Sequence, residues 1–66
     1  MRLKEMRERR GLSQAALAEK SGVSVRMIQQ YEQGMRSINA AAAETVVKLA
    51  DALHCDVRDI IEKGAE

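Results

Sequence analysis

Residues 13–34, SQAALAEKSGVSVRMIQQYEQG, decide the fold of this chain. Ser13 and Ser24 are residue types that cap helix N-termini, and each precedes a stretch of good helix formers. Gly22 and Gly34 are of the type that ends a helix, because glycine adopts left-handed backbone geometry without steric penalty. The segment therefore predicts one helix over 14–20 and another over 25–33, separated by a very short turn.

Outside this segment the same signals predict three more helices. Apolar residues at helical spacing begin the chain, and Gly11 ends this first helix. Asn39 is expected to cap a fourth helix, which 40–43 extend backward, and Asp56 to cap a fifth over 57–63. The sequence predicts an all-α, five-helix fold.

Length and composition narrow the class of protein further. A chain of 66 residues has room for one domain, predicted to span 1–66, and not for a catalytic domain beside a cofactor fold. Its single cysteine, Cys55, excludes an internal disulfide and a multi-cysteine zinc site, and the adjacent His54 adds no converging ligand. We therefore expect no metal, no cofactor and no enzymatic activity.

The charge is divided unevenly along the chain. Residues 1–37 carry eight Lys and Arg against four Glu, whereas 38–66 carry three against six acidic residues. A basic half can meet phosphate groups, but it can equally be an ordinary solvated surface. No apolar run approaches the roughly 20 residues that span a bilayer, and the charged N-terminus is not a secretory signal, so we expect a cytoplasmic, nucleoid-associated protein.

The helix over 25–33 separates its side chains into two faces. Residues placed at about 100° intervals put Met27, Ile28 and Tyr31 on the inner face. The outer face then holds one apolar residue, one Arg and three Gln: Val25, Arg26, Gln29, Gln30 and Gln33. Amides and guanidinium groups pair with base edges, and a merely solvated helix face would usually include Glu. The pattern favours a helix that enters the major groove of DNA.

Five short motifs follow one another along the chain: Leu-Ser-Gln at 12–14, Leu-Ala at 17–18, Gly-Val-Ser at 22–24, Glu-x-Gly at 32–34 and Lys-Leu-Ala at 48–50. In these motifs the chain resembles the lambda-repressor-like helix-turn-helix family, also called the Cro/C1 or XRE type. The chain also departs from the family pattern. Ala16 stands where an acid often completes the capping box, and the stretch 34–45 is longer than is usual in the family.

The resemblance implies a role for each matching residue. Base edges and adjacent phosphates would be contacted by Ser24, Val25, Arg26, Gln29 and Gln30, and other backbone phosphates by Gln14, Gln33 and Arg36. Arg7 and Glu32 match a family pair that forms a partly buried ion pair between the first and third helices. Val25 either meets a thymine methyl group or only starts the helix. Arg26 reads guanine, holds a phosphate or is a free surface charge.

The function that the resemblance implies is a transcriptional regulator, in most cases a repressor, bound to double-stranded DNA as a two-fold homodimer on a pseudo-palindromic operator. Val57 and Ile61 are candidates for the dimer contact, although Ile61 can equally belong to the core. The alternative is a protein-interaction module, such as an antitoxin or anti-repressor, whose main partner is another protein.

Overall fold

The computed structural model describes residues 2–61, whose regular structure consists of four α-helices and two single-turn 3₁₀ helices. The α-helices are α1 (Arg2–Arg9), α2 (Gln14–Ser21), α3 (Val25–Glu32) and α4 (Ala43–Ala52). The 3₁₀ turns are Ile38–Ala40 and Val57–Asp59. This part of the chain contains no β-strand, which confirms the predicted all-α class.

Serine caps fix the beginnings of α2 and α3 as the sequence predicts. The Oγ of Ser13 accepts a hydrogen bond from the backbone N–H of Ala16 at 3.0 Å, and the Oγ of Ser24 accepts one from Met27 at 3.1 Å. Each serine thereby satisfies an N–H group that the first helical turn leaves without a backbone partner. Gly22 ends α2 in left-handed geometry, with φ of 79°.

The predicted start of the fourth helix is wrong. Asn39 does not cap it: Ile38–Ala40 is a separate 3₁₀ turn, Ala41 is extended, and α4 begins after Ala42, which makes no side-chain cap hydrogen bond. In a continuous helix Ile38 would lie about 12 Å along the axis from Val46. The break instead returns Ile38 to the core, where it is 1% exposed. Burial of one large side chain outweighs the helix propensity of the alanines.

The predicted fifth helix is also wrong in its extent. In place of a helix over 57–63 the chain forms the single turn Val57–Asp59, and residues 62 and 63 lie outside the described residues. The carboxylate of Asp59 accepts a hydrogen bond from the N–H of Asp56 at 3.0 Å, as in a capping box. This one turn is enough to place Ile60 in the core, where it is fully buried.

The core lies where the four helices meet. Helix α2 packs against α3 and α4, while α1 packs against α3 and the Val57–Asp59 turn. The core is almost entirely aliphatic, and Tyr31 is its single aromatic residue. Its members are Leu3, Leu17, Val23, Ile28, Tyr31, Ile38, Val46, Leu49, Ala50, Leu53 and Ile60. None of the helices between residues 2 and 61 has both the length and the apolar character needed to cross a bilayer.

Candidate nucleic-acid interface

The outer face of α3, which follows the short turn after α2, is polar and mostly exposed. Val25 is 39% exposed, and Arg26, Gln29 and Gln33 are exposed as well. Gln30 is half-buried. The face therefore combines a guanidinium and amide groups around one small apolar side chain. Helix α3 itself ends at Glu32, one residue earlier than predicted, and Gln33 occupies its C-cap position.

The inner face of α3 holds the helix in place. Ile28 and Tyr31 are buried, and Met27 is half-buried against the core. At the N-terminus of α3, Ser24 is exposed while its oxygen caps the helix. A hydroxyl that accepts one hydrogen bond still has a proton to donate, so Ser24 retains a donor for an anion at this helix end.

The only carboxylate of α3 belongs to Glu32, and it points toward α1. Arg7 donates to it from Nε at 2.8 Å and from Nη2 at 3.1 Å, and a third bond runs from Nη1 to the carbonyl oxygen of Leu12 at 2.7 Å. The side chains of Arg7 and Glu32 are 11% and 4% exposed. The pair thus joins α1 to α3 and removes the negative charge of Glu32 from the outer face.

The environment of Glu32 favours its ionised form. Burial by itself would raise the pKa of this carboxyl, but the hydrogen bonds from Arg7 and Gln14, together with the charges of Arg7 and Lys4, outweigh burial and lower its pKa. The same hydrogen bond with Glu32 raises the pKa of Arg7. Both groups are therefore charged at neutral pH.

Gln14 has a partner that sequence reasoning did not foresee. Its Nε2 donates to Oε1 of Glu32 at 2.9 Å, and the side chain is half-buried at the start of α2. An amide nitrogen carries two hydrogens, so one remains for a phosphate oxygen. The bond orients the Gln14 side chain toward the C-terminal end of α3, because Glu32 is the last residue of that helix.

Arg36 also has an unexpected partner, in α3 itself. Its Nε donates to Oε1 of Gln30 at 3.0 Å. The sequence predicted each residue in the interface separately, and the turn at Gly34, whose φ is 79°, brings them together. A glycine that ends a helix was the available signal, because it reverses the chain toward the last helical turn.

The two residues predicted for the dimer contact lie in the C-terminal part of the described chain. Val57 is 38% exposed, whereas Ile61 is half-buried and packs against the core.

The half-buried thiol of Cys55 has a raised pKa, chiefly because burial disfavours the thiolate. Arg10, at the end of α1, donates to the carbonyl oxygens of Leu53 at 2.8 Å and His54 at 3.1 Å, so it secures the end of α4.

Comparison with known proteins gives one result at the level of the family. A family model described as helix-turn-helix matches residues 3–60. Neither the curated proteins nor the solved structures contain a match to the chain.

Proposed function

The chain belongs to the Cro/C1-type, lambda-repressor-like helix-turn-helix family of DNA-binding regulators, and from this premise we propose that it is a sequence-specific transcriptional repressor that reads the major groove with α3. It acts by occupying DNA and not by catalysing a reaction. The observation that carries the proposal is the outer face of α3, which is exposed, contains Arg26 and Gln29, and has no acidic side chain.

The chemistry of this face suits base edges. Arg26 matches the two acceptors of guanine, and Gln29 matches the donor and acceptor of adenine. Val25 is small, apolar and 39% exposed, which suits contact with a thymine methyl group. Each good bidentate contact contributes about 1–3 kcal/mol of discrimination.

Phosphate contacts position the helix in the groove. Gln14 retains one amide hydrogen, and Ser24 retains its hydroxyl proton, at the beginnings of α2 and α3. Helix N-termini attract anions through their unpaired N–H groups. Gln33 and Arg36, at the other end of α3, extend the contact along the sugar–phosphate chain.

The proposed assembly is a two-fold dimer on a pseudo-palindromic operator. A single module of this kind reads only a few base pairs, and two copies would place their α3 helices in half-sites about one helical turn apart. Val57 is the better candidate for the dimer contact, because it is exposed while Ile61 packs against the core.

The test is selection of a preferred site from a random duplex pool with the purified protein, followed by binding of single-base variants of that site. We expect Arg26→Ala to reduce the preference at one base position by about 1–3 kcal/mol, and Gln14→Ala to weaken binding to all duplexes alike. Lys48→Ala is the matched control, since Lys48 is exposed on α4 and pairs with Glu44 on the same helix at 3.8 Å.

The salt dependence of binding separates this function from the alternative. Nonspecific affinity falls steeply as the salt concentration rises. A protein that reads bases nevertheless keeps its preference for the selected site over the random duplexes. The proposal fails if Arg26→Ala binds the selected site and its variants as the parent does. A protein that selects no site would support the alternative, a regulator whose main partner is another protein.

A further inference from the structure

The loop after α3 is fastened to Gln30 through both main chain and side chain. The carbonyl oxygen of Gln30 accepts hydrogen bonds from the N–H groups of Met35 at 2.9 Å and Arg36 at 3.2 Å. The N–H of Gly34 bonds to the carbonyl of Tyr31 at 3.2 Å, which completes the left-handed turn that ends many helices. The contact between the two side chains, 3.0 Å from Nε to Oε1, is therefore set by a defined backbone turn.

A guanidinium fixes which end of the Gln30 amide faces it. Arginine has only donors, whereas a glutamine amide has an acceptor oxygen and a donor nitrogen that are nearly interchangeable in shape. Arg36 therefore holds Oε1 of Gln30 toward itself, and the donor Nε2 faces away. Arg36 is exposed, and the other nitrogens of its guanidinium add further donors beside this amide.

We infer that Arg36 is a positioning residue for base recognition: it turns Gln30 into a reader that offers donors only, which selects guanine over adenine at one base pair. This inference rests on the proposed function. Adenine presents an acceptor, N7, beside a donor, the N6 amino group, and requires both ends of a glutamine amide. Guanine presents two acceptors, N7 and O6, and it fits a Gln30 amide that turns its donor nitrogen Nε2 toward the base. The positive charge beside Oε1 also disfavours approach of the N6 amino group.

The experiment uses the full chain and the site selected by the parent protein. Gln30→Ala identifies the base pair that Gln30 reads, because the preference should fall at that position alone. In the parent we expect guanine to be favoured over adenine there by about fivefold or more, and in Arg36→Met we expect this ratio to fall toward or below one. In the Gln30→Ala background, Arg36→Met should leave the ratio unchanged.

A role confined to phosphate binding gives a different result. Arg36→Met would then weaken all duplexes alike and lower the salt slope by about one, with the base ratio unchanged, and this outcome overturns the inference. A parent preference for adenine at the Gln30 position overturns it as well. Arg58→Met, which removes an exposed charge from the Val57–Asp59 turn, should leave the ratio at the parent value.

The two proposals fail separately. A parent that selects no site overturns both of them. A parent that selects a site and loses one base preference in Arg26→Ala, but shows only uniform loss in Arg36→Met, overturns the inference about Arg36 alone.

Discussion

The ion pair between Arg7 and Glu32 permits a quantitative prediction for Arg7→Met. Methionine retains most of the apolar volume of the arginine stem but has no donor. The substitution removes two hydrogen bonds to a carboxylate and one to the Leu12 carbonyl, and it leaves a carboxylate that is 4% exposed with Gln14 as its remaining side-chain donor. Removal of one partner of a buried ion pair usually lowers the free energy of unfolding by about 3–5 kcal/mol. We expect about 3 kcal/mol here, because Arg7 is 11% exposed.

The assay is urea denaturation followed by circular dichroism at pH 7 and low temperature. A chain of 66 residues has a free energy of unfolding of about 3–10 kcal/mol, so the variant loses a large part of its stability. Adding Glu32→Gln to Arg7→Met removes the unpaired charge and keeps an acceptor for Gln14. We expect this second change to restore at least about 1 kcal/mol, even where the single variant is largely unfolded.

The pH dependence follows from the direction of the pKa of Glu32. Its pKa is lowered in the folded parent, so the stabilisation by the pair is present above the unfolded value of about 4.3 and disappears as the pH falls through the folded pKa. Without Arg7, burial raises the pKa of this carboxyl, and the variant gains stability relative to the parent as the pH falls. The difference between them should therefore shrink between pH 7 and about 4.

The matched control is Lys48→Met, which removes a cation from an exposed pair with Glu44. It should change the free energy of unfolding by less than about 0.5 kcal/mol. A loss below about 1 kcal/mol in Arg7→Met at pH 7 would refute the reasoning, since the pair would then behave as a solvated contact. A difference that stays constant down to pH 4 would refute the assignment to Glu32.

Two further predictions concern helix ends. Ser24→Ala removes the side-chain cap of α3, so it should lower the free energy of unfolding by about 1 kcal/mol and Tm by about 4–8 °C in thermal denaturation. The control is Ser37→Ala, which should change Tm little because Ser37 is at an N-cap position without a side-chain hydrogen bond. His54 follows α4 with a left-handed φ of 55°, which glycine adopts easily and a β-branched residue does not. In urea denaturation, His54→Gly should therefore raise the free energy of unfolding by about 0.5 kcal/mol, and His54→Val should lower it by more than about 1 kcal/mol. A more stable His54→Val variant would contradict the second expectation.

The helices that the sequence predicts well are those whose ends are determined locally. Ser13, Ser24 and Gly22 act through hydrogen bonds and backbone angles within one turn of their own position, so the residue type is sufficient. The start of α4 depends instead on where Ile38 packs, and this is decided by distant parts of the chain. A run of alanines contains no sign of such a break, because each alanine favours a helix wherever it stands.

In the candidate site, too, the sequence predicts the features that are determined locally and misses those that depend on distant parts of the chain. The acid-free outer face of α3 can be derived from helical periodicity, because inner and outer residues repeat at a fixed angle. The contacts of Gln14 with Glu32 and of Gln30 with Arg36 cannot, because each joins residues whose distance depends on a turn or on helix packing. Periodicity therefore predicts which side chains face outward, but not which of their polar atoms are already engaged.

The Arg7–Glu32 pair connects the stability of the fold with the chemistry of the interface. Glu32 is the last residue of α3, the helix that we propose to enter the major groove, and an exposed carboxylate there would repel phosphate groups. By binding it at 2.8 Å, Arg7 both holds α1 against α3 and neutralises this charge. The same carboxylate orients Gln14, so the phosphate contact that we propose for Gln14 depends on a residue of α3. Loss of Arg7 should therefore weaken DNA binding beyond what unfolding explains, since the folded fraction would present an unpaired negative charge beside the groove.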